Sequence, residues 1–596
     1  MGERYNNILL VYPEVPKNTY WSFHYALKFI KKKSSMPPLG LITVAALFPE
    51  SYNLKLVDLN IEELKEEDIL WSDAVFISAM IVQKESMEHV IDVSGKLGKP
   101  IVAGGPYVTS SWRVISGVSH FILGEAETVF HAFLEDFKAG NAGKLYSSSA
   151  YPDITHSVVP RFDLLKREAY GSMAIQYSRG CPFKCEFCDI WKAYGNKPRL
   201  KSAECVVNEL DTLFQLGWEG SVFIVDDNFI GNKKRVKNEL LPALFEWQKT
   251  HDYVFRFFTE ASINMASDPD LLTGMRNAAF NEVFIGIETP SRRALKEVGK
   301  NQNLKTDILE AVRTVQSYGI EVMAGFILGF DSDAEDIFER QVEFIQQSGI
   351  PQAMVGLLTA LPGTDLYDRM KKERRLIAES TGNNTHNMMT NFKTKMNPDQ
   401  LKRGYQRVLE SIYDRNLNNY FRRCTTFMNN LGRAAHFQRK ISFNEIKMLI
   451  KSLVLQPFTP YGFQYMKFVI NNFIRHRHIF GEIIRFAIIG HHFHTITQET
   501  LKMERLSCEL DEGASDLSCQ LSRYSQQLTT NSKEAVKSII ELWERENVFL
   551  QRIRKRIDNI HIDFQGEILK KYADVSKQLW RLFQPYEDDL RNAGAI

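Results

Sequence analysis

Cys181, Cys185 and Cys188 lie within eight positions of a 596-residue chain that has only seven cysteines, and no other feature restricts its folding and chemistry as tightly. The loop reads Ser178-Arg-Gly-Cys181-Pro-Phe-Lys-Cys185-Glu-Phe-Cys188 and follows an apolar run, Met173 to Tyr177, that predicts a strand. Three thiolates at the end of one strand can converge on one inorganic centre. A structural zinc site needs a fourth protein ligand, and no second Cys-x-x-Cys or His pair lies downstream at the usual spacing. A redox pair accounts for Cys185 and Cys188 but leaves Cys181 idle. Cysteines that merely pack rarely come as three in eight residues. The other four, Cys205, Cys424, Cys508 and Cys519, are scattered and form no disulfide framework, so the trio suits thiolate ligation in a reducing compartment.

The length implies three or four folding units. Lys and Arg number 74 against 72 Asp and Glu, so no global field draws the chain to nucleic acid. The start, Met1 to Asn7, runs straight into Ile8-Leu-Leu-Val-Tyr12 with no signal-peptide pattern, and a cytoplasmic location is expected.

Residues 1–143 alternate short apolar runs with helical patterns. Asn7 to Tyr12, Leu54 to Asp58, Ala74 to Ser78, Ile101 to Ala103 and His120 to Leu123 predict buried strands, and Met87 to Leu97 predicts an intervening helix. This rhythm specifies a doubly wound, Rossmann-like parallel sheet, whose ligands sit at the carboxyl ends of the strands. The residues there are Ser78-Ala-Met80, Gly104-Gly105-Pro106 and Gly124-Glu125-Ala-Glu127; alone, such glycines read equally as plain turns.

Residues 144–170, with Ser147 to Ser149, Pro152 and Pro160, form a connector. Over 171–397 the rhythm returns, and six strands beginning with the cysteine strand predict a partial, TIM-like α/β barrel. Its strand ends carry Asp226-Asp227-Asn228, Glu260, Glu288 and Gly329-Phe-Asp331. Strand-end acids can be no more than solvated caps, but a whole set beside a cysteine loop reads as a site.

The spacing Cys181-x-x-x-Cys185-x-x-Cys188 is identified as the signature of the radical S-adenosylmethionine superfamily. That resemblance implies a 4Fe-4S cluster held by the three cysteines, with S-adenosylmethionine on the iron that lacks one, cleaved to a deoxyadenosyl radical. It also implies that Glu260 and Glu288 meet the ribose or amino group, that Gly286 admits the cofactor, that Phe187 flanks adenine, and that Asp226, Asp227 and Asn228 cradle the methionyl end. The first domain, with Ser78, Gly104-Gly105-Pro106, Gly124, Glu125 and Glu127 in order, resembles the cobalamin-binding domain preceding the catalytic domain in one class of these enzymes. No Asp-x-His-x-x-Gly motif follows the first strand, so the resemblance implies cobalamin without a histidine on cobalt, and Gln83 is the candidate near the lower face. His24 reads as a local residue.

Beyond Pro398 helical periodicity takes over, with 398–500 as a helical substrate or cover domain and 501–596 as a helical tail. Leu401 to Arg415, Phe443 to Leu455 and Phe463 to Ile474 predict helices. Ile479 to Ile489 is the most apolar stretch, too short to span a bilayer and set among Arg475, His476, Arg477, His478 and Arg485. It reads either as helical core or as a basic, apolar surface resting on a membrane. His491, His492 and His494 lack an acidic or cysteine partner for a metal site.

The domain order and the segments Pro37 to Pro49 and Gly195 to Ser202 are similar to the subgroup that includes the hopanoid C-2 methylase. The resemblance implies methyl transfer to an unactivated carbon of a hydrophobic or lipid substrate, with reduced ferredoxin or flavodoxin as electron donor and peripheral membrane contact. The alternatives are a cyclisation or rearrangement without methyl transfer, and a non-catalytic cobalamin-binding regulator. A transfer-RNA methylthiotransferase fits less well, because the extra cysteine-bearing and RNA-binding domains are missing.

Overall fold

Continuous Val, Ile and Leu runs are buried on both faces only when helices cover both sides of a parallel sheet, and that is how the chain folds. The computed structural model describes residues 6–383, 388–431, 443–527 and 532–592; the Met1 to Tyr5 start lies outside them. The first sheet comprises β1 (Asn7–Tyr12), β2 (Asn53–Asp58), β3 (Ala74–Ser78), β4 (Ile101–Gly104), β5 (His120–Leu123) and β6 (Leu145–Ser147). Its order is β2-β1-β3-β4-β5-β6, parallel throughout. Alternation along the strands sends Leu9, Val11, Val75 and Ile77 into one core and Ile8, Leu10, Phe76 and Val102 into the other, where Phe130, Phe133 and Phe137 cover them. Each such side chain contributes roughly 1.5–3 kcal/mol. Strand β6 falls within the expected connector: it is three residues long with Leu145 and Ser147 exposed, so only its backbone ladder to β5 marks it.

The second sheet runs β12-β11-β10-β9-β8-β7, again all parallel: β7 (Ser172–Ile175), β8 (Gly220–Ile224), β9 (Phe255–Glu260), β10 (Phe280–Glu288), β11 (Glu321–Leu328) and β12 (Ala353–Leu357). All six predicted strands are present, in the open-barrel order. The connector is tied to the first sheet by the buried Tyr170 hydroxyl, which donates to Asp58 at 2.8 Å.

Helix α1 (Pro398–Ile412) starts three residues before the predicted Leu401 because Asn397 caps it, accepting from Asp399 N and Gln400 N, with Pro398 in the first turn. Tyr405 of α1 and Tyr413 just beyond it donate to Val355 and Ala353 carbonyls and close the edge strand β12. Helices α2 (Asn418–Asn430), α3 (Phe443–Leu455), α4 (Gly462–His476) and α5 (Phe480–Gln527) follow. The Ile479 to Ile489 stretch is core: Ile483, Ile484, Phe486 and Ala487 are buried. The same turns place Arg485 against Glu321, against Glu282 at 3.2 Å and against Glu482 at 2.5 Å, while Arg256 reaches Glu482 at 3.0 Å. Arg256, Glu282 and Glu321 lie in the amino-terminal halves of β9, β10 and β11, so α5 closes the barrel end opposite the strand-end acids. His491 Nδ1 and the Tyr461 hydroxyl lie 2.6 Å apart in a hydrogen bond, and His492 sits at the Tyr20 carbonyl among aromatic rings.

The chain divides into two compact units, Met1–Phe493 and His494–Ile596. Helix α5 runs through residue 500 unbroken. In the second unit it is joined by α6 (Ser532–Ile557) and α7 (Ile562–Phe583), with Trp543 packed on Trp580 and Phe583.

Candidate active site at the facing strand ends

The cysteine loop leaves β7 through a two-residue hairpin, Ser178–Arg179 paired antiparallel with Arg199–Leu200. Buried Asp226, at the end of β8, shapes this exit: its carboxylate accepts from Tyr177 N at 2.8 Å and from the Ser178 hydroxyl at 2.6 Å. The carbonyl of Cys185 accepts from the Trp191 indole at 3.2 Å, and Glu186 N donates to Val298 O. Glu186 is forked by Arg369 at 2.5 and 3.0 Å, and Arg369 and Arg375 converge on Asp331. Burial works to raise the Asp331 carboxyl, but the two guanidiniums outweigh it and hold it at about 2. These are anchors for a loop whose own backbone has little regular structure.

Side-chain amides point at two of the three sulfurs: Asn228 Nδ2 lies 3.9 Å from Cys181 Sγ, and Gln302 Nε2 lies 3.9 Å from Cys185 Sγ. All three thiols are pushed up by burial, each also feeling the others or neighbouring acids. Among the described residues no three His, Cys, Asp or Glu side chains are closed around a single-ion point. Three thiolates carried on one loop fit the separate irons of one cluster.

Around the loop lie Asp227, Glu260 and Glu288. Burial first, then Asp226 and Asp189, pushes Asp227 up to about 7; burial, Asp227 and Asp226 push Glu260 up to about 8. Glu288 is left-handed (φ 66°), an outlier for a non-glycine residue, at a register irregularity of β10. It pairs with half-buried Lys300, whose ammonium also lies 5.8 Å over the Phe187 ring. A Cβ on Gly286 would come within 2.4 Å of Glu288 Oε1 and 2.6 Å of Lys300 Nζ, so a side chain there would displace the ends of this pair. Lys300, Gln302 and Asn303, which donates to the Gly286 and Ile287 carbonyls, were not singled out from the sequence. They follow a helix end with no motif, and only the fold returns them to β10.

At the first sheet, Ser78, Gly104, Gly105 and Pro106 gather at the adjacent ends of β3 and β4. Gly105 (φ 94°) packs so closely that a Cβ would meet Ser78 Oγ at 2.6 Å. Gly124 follows β5 with open space where a Cβ would stand. Gln83 is buried; its Oε1 accepts from Met80 N at 2.8 Å and its Nε2 donates to Pro13 O at 2.5 Å. Both ends of the amide brace the loop, and it would have to release one to reach a metal. Glu125 and Glu127 turn toward the cysteine loop. Arg179 donates to Glu125 at 2.5 Å and Glu127 at 2.7 Å, and Arg199 forks Glu125 at 2.5 and 3.0 Å. The strand ends of the two sheets are thereby clamped face to face. Nearby, Phe187, Ile327, Leu357, Leu358 and Leu361 line a small apolar cavity that ends at Gly382, whose backbone abuts Ile81 and Val82 beyond β3.

The radical SAM superfamily profile matches residues 175–345, and a domain of unknown function, DUF4070, matches residues 364–505. An uncharacterized methyltransferase of Synechocystis sp. is 41% identical over 408 residues, 68% of this chain and 76% of that protein. The hopanoid C-2 methylase of Rhodopseudomonas palustris is 38% identical over 381 residues, 63% of this chain and 72% of that protein. The structure of OxsB, a cobalamin-dependent S-adenosylmethionine radical enzyme with aqua-cobalamin and S-adenosylmethionine bound, superimposes with a TM-score of 0.55 at 15% identity, covering 85% of this chain and 81% of that one. At that identity the likeness is one of fold.

Proposed function

We propose, because the chain belongs to the cobalamin-binding radical S-adenosylmethionine methyltransferases in the subgroup of the hopanoid C-2 methylase, that it methylates an unactivated carbon of a hydrophobic, lipid-class acceptor. The observation that supports this reading is the clamp of Arg179 on Glu125 and Glu127 and of Arg199 on Glu125, which joins the loop after β5 to the cysteine loop, the two strand ends that would bind the cofactors. Bound there, an iron–sulfur cluster with S-adenosylmethionine supplies hydrogen abstraction, and a corrinoid supplies the methyl group.

The chain's own part is to place and shield. Cys181, Cys185 and Cys188 would hold the cluster, with the Asn228 and Gln302 amides directed at two of the sulfurs. Asp227, Glu260 and Glu288 form an acidic wall suited to a ligand that carries sulfonium and ammonium charges, and Phe187 offers a ring face beside them. Gly124, with open space at its Cβ position, would let a corrinoid tail approach backbone closely, and Ser78, Gly104 and Gly105 would shape the neighbouring loop. Phe187, Ile327 and Leu358 line a small apolar cavity beside this wall, an apolar surface that part of a hydrocarbon acceptor would touch. Reduced ferredoxin or flavodoxin would bring the electron.

Anaerobic, cofactor-loaded protein given a neutral-lipid extract is expected to release S-adenosylhomocysteine and 5′-deoxyadenosine together, with a lipid heavier by one methylene. Deoxyadenosine with a lipid product of unchanged mass and no S-adenosylhomocysteine would replace methyl transfer by rearrangement.

The acidic wall also sets a pH dependence. A carboxyl raised to about 8 is protonated at neutral pH, and a cationic ligand binds the ionised form better, so binding must release that proton. Affinity for S-adenosylmethionine is expected to rise about tenfold between pH 7 and 8.5. Glu260→Gln should flatten the profile in calorimetric titrations; a Gln variant with the same slope assigns the effect elsewhere.

A further inference from the structure

Eleven of the 24 exposed large apolar side chains among the described residues fall between Ile446 and Ile474. On α3 they are Ile446, Ile450, Leu453 and Val454, spaced along one helical face opposite the buried Ser452, with Leu455 off that face at the helix end. On α4 they are Phe463, Met466, Ile470, Phe473 and Ile474, again one face. The two helices are joined through a short turn whose Phe458 is 89% exposed, and Ser452 and Tyr465 hydroxyls lie 3.0 Å apart between them. The opposite face of α4 is already covered: Phe468 stacks on Phe421 of α2 at 4.6 Å, and Asn472 donates to Thr425. Helix α4 is therefore apolar on two sides, with one packed and the other facing outward.

Charge says what the outward face meets. Residues 443–478 contain Lys447, Lys451, Lys467, Arg475 and Arg477 against Glu445 alone. A second copy laid symmetrically on this face would bring the same excess of positive charge against itself. A surface of anionic headgroups over hydrocarbon satisfies both the aromatic and aliphatic stripe and its basic flank. No described helix is long and apolar enough to cross a membrane, so the contact lies in the interfacial plane.

We infer that α3 and α4 form a membrane-docking face that binds the surface of anionic bilayers. This deepens the lipid-acceptor reading by placing the enzyme where such an acceptor resides, but its test needs neither cofactors nor acceptor. The full chain is mixed with vesicles of phosphatidylcholine alone, or of equal parts phosphatidylcholine and phosphatidylglycerol, and floated through a density gradient. It should float with the anionic vesicles, weakly or not at all with the neutral ones, and less well as salt is raised. Combined Phe463→Ser, Ile470→Ser and Ile474→Ser should cut binding by about tenfold or more without shifting the melting temperature, since these side chains touch solvent. Lys467→Glu with Arg475→Glu and Arg477→Glu should do likewise with the apolar stripe intact. Failure of the wild-type chain to float, or flotation unchanged in both variants, overturns the inference. Loss of a dimer in the serine variant, with no vesicle binding by the wild type, assigns the face to a second copy. An unmethylated lipid pool with normal flotation would sink the acceptor reading and leave the docking face standing.

Discussion

A chain carrying Cys185→Ala is expected to lose most of its reconstituted iron and to form 5′-deoxyadenosine at least about a thousandfold more slowly, a loss of about 4 kcal/mol of transition-state stabilisation. With only three cysteines to anchor a four-iron centre, each removal takes a whole protein ligand. Cys185 is buried, and the amide of Gln302 aimed at its sulfur has no role once the thiol is gone. The fold should persist, because the loop is also held by Glu186 on Arg369 and by the Trp191 indole on the Cys185 carbonyl, neither of which uses the side chain removed. The control is Cys205→Ala: that thiol donates to the Thr155 carbonyl at 3.3 Å, away from the trio, and its loss should leave iron and deoxyadenosine near wild type. Iron content, the visible absorption of the cluster and product chromatography read the outcome. Full iron with normal deoxyadenosine in Cys185→Ala would remove the loop from the chemistry.

How much of this was legible in the sequence depends on whether a feature is local. The strands of both sheets were visible because Val, Ile, Leu and Phe runs of strand length have one packed solution, burial on both faces. The cysteine loop was visible because its ligands sit within eight residues. Strand β6 was not, since its side chains carry no burial signal. Nor was the left-handed Glu288, held by its ion pair with Lys300 twelve residues away and by the neighbouring strand, neither of which any local pattern encodes. The acids Glu125 and Glu127 were singled out correctly as strand-end residues, yet their partners stand 54 and 52 positions away, and no spacing rule links them. The membrane question shows the converse. Hydropathy drew attention to Ile479–Ile489, which is buried, while the exposed apolar stripe lies on the two preceding helices, where periodicity cannot tell a face covered by a neighbour from one left open.

The clamp that sequence could not supply is also where a single substitution should separate the two halves of the chemistry. Arg179 is 10% exposed and satisfies Gln176, Glu125 and Glu127 at once, directly before Gly180 and Cys181. Arg179→Met keeps the volume of the stem and deletes the charge. Glu125 retains Arg199, but Glu127 loses its cation in a site where burial alone would raise its carboxyl; Arg179 now reverses that and holds it below the usual range. Leaving a half-buried charge of this kind unpaired costs up to about 3 kcal/mol. The sign in pH follows: a depressed carboxyl stabilises the wild type above its unfolded pKa, and that contribution is lost as pH falls through the lower folded value, so the gap in melting temperature between wild type and Arg179→Met should be full at neutral pH and close in acid. Arg179→Met with Glu127→Gln should recover much of the loss, because the stranded charge is gone. Arg179→Lys should fall between, since one ammonium cannot fork two carboxylates. Function should split as well: the cysteines are untouched, so iron and deoxyadenosine should fall only a few-fold, whereas corrinoid retention and S-adenosylhomocysteine should fall by about tenfold or more as the Gly124 loop loses its hold on the cysteine loop. Equal losses of both products would make Arg179 a general stabiliser. Unchanged melting and an unchanged product ratio would mean that the two strand ends do not depend on the clamp to face each other.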